Sequence, residues 1–94
     1  MVDYWLNKII FDLQSPTTMA EFRQDRAAVM NRYPLAPEAR TALLGDDITA
    51  LVNRGVNPYL VRMFGYVVQV PEDSFVRQIE ASAVKVAAEL KDAS

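Results

Sequence analysis

Residues 57–70 read NPYLVRMFGYVVQV, and whether they form a helix or a strand decides the fold class. From Pro58 to Val70 the only charge is Arg62, and the run is rich in β-branched and aromatic residues. Periodicity alone therefore does not separate a buried helix from a strand. No second strand candidate is present to pair with it. Asn57-Pro58, moreover, is a helix start: a side-chain cap followed by a residue whose missing N–H costs nothing at the first position. The segment predicts a helix over 59–68. It is too apolar all round for the surface helix of a small monomer, so it is expected at the centre of the bundle, against another protein, or partly both.

The flanking segments repeat this punctuation. Gly45-Asp46-Asp47 breaks the chain and caps a helix over 48–54 that ends at Gly55. Leu35-Ala36-Pro37-Glu38 opens another, with Leu43 and Leu44 expected inward. Asp25 caps a helix expected to run to Tyr33, where Pro34 stops it. Ser15-Pro16 starts a short helix whose buried side is Met19 and Phe22, with Thr18 and Glu21 an alternative capping box. Asp3 caps a first helix with Leu6, Ile9, Ile10 and Leu13 on one face. Beyond Pro71, Glu72 and Asp73 suit the first turn of a last helix over 72–91. Its narrow seam is Val76, Ile79, Ala83, Val86 and Leu90, beside small residues at Ala81, Ala83, Ala87 and Ala88. The seam is too short for a dimerising coiled coil and is expected to pack at home or onto a different subunit. Trp5, Phe11, Phe22, Phe64 and Phe75 are expected core anchors. The expected fold is all-α: one domain over 1–94 of six to seven short helices and a longer C-terminal one.

The chain has 94 residues, 51% hydrophobic and 23% charged, the balance of a folded globule with a modest core. It contains no His and no Cys. That removes imidazole bases, Ser-His and Cys-His nucleophiles, His- or Cys-based zinc sites, iron–sulfur clusters and disulfides. Catalytic and metal-ligating residues are expected to be none. A net charge of −2 and basic residues scattered without a run of three argue against nucleic acid as the main partner. No stretch reaches the length of a membrane span, and the N-terminal MVDYWLNKIIFDLQ does not read as a signal peptide, so a cytoplasmic location is expected.

Candidate chemistry is sparse. Asp46-Asp47 is a carboxylate pair, but adjacent residues at a helix start diverge, and capping is the expected role. Tyr59 and Tyr66 are by default expected in the core, with phenols presented along one helix face the alternative. Arg54 and Arg62 flank the Gly55-Val56-Asn57-Pro58 turn and could hold an anion, or simply be solvated.

Taken in order, the short helix from Ser15-Pro16, Arg26–Tyr33, LAPEARTALLGDD (35–47) and ALVNRGVNPYLVRMFG (50–65) resemble a known family. It is the small (alpha) subunit of protocatechuate 4,5-dioxygenase, which also occurs fused in gallate-type dioxygenases and as short separate subunits of related extradiol enzymes. The likeness covers roughly 4–66. Its most specific part is Leu35, Pro37 and Glu38, then Ala42, Leu43, Asp46 or Asp47, Leu51, and Gly55-x-Asn57-Pro58-Tyr59-Leu60. The resemblance implies a non-catalytic helical cap on a large subunit whose two His and one Glu hold Fe(II), in a heterotetramer with two large subunits that cleaves a catechol-type ring with O₂ in aromatic catabolism. It implies that Asn57, Tyr59, Leu60, Arg62 and Phe64 face the substrate pocket or the partner. Tyr59 and Asn57 would lie nearest and Phe64 behind them, while Asp46, Asp47, Gly55 and Pro58 shape caps and turns. Larger members carry an N-terminal extension and a different tail, and helix 72–91 has no evident counterpart. Two other readings stay open. One is the binding domain of a ribosomal peptide precursor recognised by a backbone N-methyltransferase, with residues 81–94 as the modified segment. The other is a helical interaction module.

Overall fold

A polar cap or a proline stands at the start of six of the seven helices in the computed structural model, which describes residues 3–93, with side chains for 3–82. In order they are α1 (Tyr4–Asp12), α2 (Pro16–Gln24), α3 (Arg26–Met30), α4 (Pro37–Leu44), α5 (Ile48–Asn53), α6 (Pro58–Val67) and α7 (Glu72–Ala93). No strand occurs among the described residues, so the fold is all-α. Asp3, Asp25, Asp47 and Asn57 each accept a hydrogen bond from a first-turn N–H of α1, α3, α5 and α6. Such caps are each worth about 1 kcal/mol. Pro16, Pro37 and Pro58 occupy the first positions of α2, α4 and α6.

The core is contributed by every helix. Leu6, Ile9, Ile10 and Leu13 meet Phe22, Val29, Met30, Ala39, Ala42, Leu43, Ile48, Leu51, Leu60, Val61, Phe64 and Phe75. Phe22 and Phe64 cross edge to face with centroids 6.3 Å apart, each burial contributing about 2–3 kcal/mol. The ambiguous run 57–70 is helical through Val67 and half-buried. Leu60, Val61, Phe64, Gly65 and Val67 face the core, while Tyr59, Arg62 and Tyr66 face outward.

Helix α7 is fastened to α5. Gln78 Oε1 accepts from Ile48 N–H at 2.9 Å, and Thr49 Oγ1 donates to the Gln78 carbonyl at 2.9 Å. Phe75 presses on Gly65, where an added Cβ would sit 2.8 Å from the ring.

Several expectations are corrected. Trp5 and Phe11 are not core anchors: they are 41% and 52% exposed, because the core side of α1 is already filled by Leu6, Ile9 and Ile10. Leu44 points outward, as the last residue of a helix that turns Leu43 inward. Helix α3 stops at Met30 rather than Tyr33, since Asn31 and the following bends already turn the chain. The Thr18–Glu21 box is unused, because α2 starts at Pro16, and Glu21 pairs with Arg32 instead. The seam of α7 keeps Ile79 against the core but not Val76. Phe75 and Ser82 are buried while Val76 is exposed, because the Gly65 notch receives Phe75. Seam side chains from Ala83 to Leu90 lie outside the described residues.

Candidate functional site

The turn between α5 and α6 is the most heavily tied irregular segment. Gly55 takes φ 82°, a left-handed conformation that favours glycine after a helix end. Val56 is buried beneath it, and the Asn57 side chain accepts from Tyr59 N–H at 2.8 Å to start α6. The start of α1 then holds the turn from the side. Asn7 Nδ2 donates to the Gly55 carbonyl at 3.2 Å and to the Asp3 carbonyl at 2.7 Å, while Asn7 Oδ1 accepts from Asn57 N–H at 2.9 Å. Asp3 N–H donates to the Arg54 carbonyl at 3.2 Å, and the Asp3 carboxylate accepts from Arg54 Nε at 3.1 Å.

From this anchored turn, α6 presents Tyr59, Arg62 and Tyr66 at intervals of three and four, one face of a helix. Tyr59 is 72% exposed and Tyr66 is 85% exposed. The Arg62 guanidinium lies 4.7 Å from the Phe75 ring centroid and donates to Glu72 at 2.8 Å, an exposed contact that leans it towards α7. Tyr66 stands between two shallow grooves. Arg62, Glu72 and Phe75 line one, Arg23 and Gln69 the other, and Gly65 and Val70 border both. Arg23 is itself fixed, donating twice to the Val67 carbonyl at the end of α6.

Among the residues singled out in the sequence, Asn57, Tyr59 and Arg62 are thus exposed along the start of α6. Leu60 and Phe64 point into the core on the opposite side. Arg54 and Arg62 are not brought together as an anion clamp: Arg54 is paired with Asp3 and Arg62 with Glu72. The carboxylates of Asp46 and Asp47 separate as well. Asp47 caps α5, whereas Asp46 takes φ 52° and pairs with Arg26 at 2.5 Å. Asn7 was missed. Its one sequence signal is an amide in the interior of a helix, where asparagine is intrinsically unfavourable.

Chemically the face is polar and aromatic. It offers phenols, an amide and a guanidinium, with no acid–base pair. No group of three Asp, Glu, His or Cys that could hold a metal occurs among the described residues. No helix among them is long and apolar enough to cross a membrane.

Residues 6–86 match the family described as the LigA subunit of the aromatic-ring-opening dioxygenase LigAB. The match extends past α6 and takes in the first part of α7, the helix for which the sequence resemblance offered no counterpart. No solved structure matches the chain.

Proposed function

The chain belongs to the LigA-subunit family of aromatic-ring-opening dioxygenases, and from that premise we propose that it is the non-catalytic cap of a two-component extradiol enzyme. In this reading it seats the outer face of α6 on a large subunit, over the mouth of the active site. The large subunit binds Fe(II) through two His and a Glu, and the assembly is a cytoplasmic heterotetramer with two large subunits. The iron supplies O₂ activation and binding of the two ring oxygens. Everything this chain does is recognition and enclosure. Tyr59 offers its phenol to a polar group of the catechol-type substrate or of the pocket rim. Asn57 fixes the helix start that aims it. Arg62 and Tyr66 bind the partner, and the closed surface excludes water during ring cleavage. Leu60 and Phe64 back this face from inside, and Gly55, Pro58, Asp46 and Asp47 shape the turns around it.

The observation that supports this reading best is Tyr59: a large phenol that is 72% exposed, at the end of the turn most firmly fixed by the rest of the chain. A rigid support for an exposed aromatic is what binding surfaces require and what core packing does not. The peptide-precursor reading gains nothing from the fold, since residues 81–93, its modified segment, continue helix α7.

The test is anaerobic affinity purification of the chain from its native cells. Co-purifying protein is then assayed for iron and for cleavage of protocatechuate, catechol, an aminophenol and a biaryl diol. A large iron-containing partner that cleaves one of them is expected. Recovery of the chain alone, or with a methyltransferase, would overturn the reading. Within the active complex, Tyr59→Phe is expected to reduce kcat/KM by about three- to tenfold through loss of one hydrogen bond, with subunit affinity retained.

A further inference from the structure

We propose that Asn7 is a positioning residue for the substrate-facing turn, acting on the substrate only through Tyr59. The inference rests on the reading of Tyr59 given above. Asn7 lies in the middle of α1 and is half-buried, and its amide ties the start of α1 to the turn before α6. One amide proton goes to the Asp3 carbonyl at the start of α1, while the other proton and the oxygen reach Gly55 and Asn57 across the turn, 48 and 50 residues away in sequence. The two residues it grips lie on either side of Val56, and both decide where α6 begins. Gly55 carries the left-handed φ of 82° that ends the preceding helix. Asn57 carries the side chain that caps Tyr59 N–H. Replacing the Asn7 amide frees the Asn57 N–H and the Gly55 carbonyl together. The turn then has Asp3 and Arg54 as its remaining long-range polar tie. Tyr59 follows Asn57 by two residues, so a shift of the cap moves the phenol. Displacements of about 1 Å at a binding group can cost up to about a hundredfold in rate.

The expected signature separates positioning from general stability. In the assembled enzyme, with the panel compound it cleaves fastest, Asn7→Ala should raise KM about tenfold. Its kcat and its affinity for the large subunit should stay within about twofold of the unmodified complex. Asn7→Asp keeps the acceptor for Asn57 N–H but loses both donors, and should lie between the two, which also covers the case in which Asn7→Ala fails to fold. In a Tyr59→Ala background the effect of either change should shrink to less than about twofold, since a residue acting through Tyr59 has nothing left to position. If Tyr59→Ala raises KM but the Asn7 effect persists undiminished beside it, or is absent from the start, the positioning role is overturned. If Tyr59→Ala itself leaves KM unchanged, it is the substrate-facing reading that fails.

Discussion

Tyr33 and Asp12 make the tightest side-chain contact between α1 and the segment after α3. The phenol donates to Asp12 Oδ2 at 2.5 Å, and Lys8 Nζ reaches Asp12 Oδ1 at 3.1 Å. Burial first, and the neighbouring carboxylate second, push the phenol's pKa up to about 12. Burial also raises that of Asp12, but the hydrogen bonds from Tyr33 and Lys8 together outweigh it and hold the carboxyl below its usual range. An unfolded tyrosine releases its proton near pH 10, at about its ordinary pKa. The Tyr33 contribution is therefore fully present below about pH 10 and lost as pH rises towards the folded value of about 12. Asp12 acts in the opposite sense: its contribution is present above about pH 4 and fades on acidification. Tyr33→Phe is expected to lower stability at pH 7 by about 1 kcal/mol and to flatten the alkaline loss. Urea midpoints from pH 7 to 12 check this. An equal alkaline loss in the variant would assign it to other tyrosines.

Among the elements, α7 depends most on a single side chain. Gln78 accepts from the first N–H of α5 and steadies itself on Ser74 Oγ at 3.3 Å, while its carbonyl receives Thr49. Gln78→Ala should cost about 1–2 kcal/mol, whereas Arg77→Ala, on the exposed ion pair with Asp73, should not measurably change stability. Equal effects of the two would mean that α7 is held by its apolar contacts alone. This contrast also marks what could be read in advance. Helix starts were legible because Asp3, Asp25, Asp47, Asn57 and the prolines act within three residues of themselves. Residues such as Gln78, Asn7 and Arg23 act across 29 to 50 residues, and nothing local announces their partners. The burial errors have the same origin. Periodicity marked Leu43 and Leu44, or Val76 and Phe75, as equally apolar, and only the neighbouring Gly65 and the direction of α4 decide which of each pair turns in. At the site, the default core position of Tyr59 and Tyr66 is corrected, because Leu60, Val61 and Phe64 already fill the buried side of α6; neither that exposure nor the support beneath Tyr59 was legible from local spacing.

For the molecule as a whole, two aromatic faces remain outside the core: Tyr4 and Phe11 on α1, and Tyr59 and Tyr66 on α6. Tyrosine flanking an arginine is the composition that dominates binding energy at interfaces. Tyr66→Ala is therefore expected to weaken binding to the large subunit at least about tenfold, and Phe11→Ala by less than about twofold, measured by titration. The reverse order would place the partner on α1. The clamp between α1 and the turn before α6 also bears on how the chain matures. Asp3 and Arg54 are 51 residues apart. At about 5–20 residues per second, a ribosome needs roughly 3–10 s to supply the second after the first. Throughout that interval Leu6, Ile9, Ile10 and Leu13 have no α6 to cover them. The polar ties that make the finished turn rigid thus close only after the segment up to Asn57 has been made.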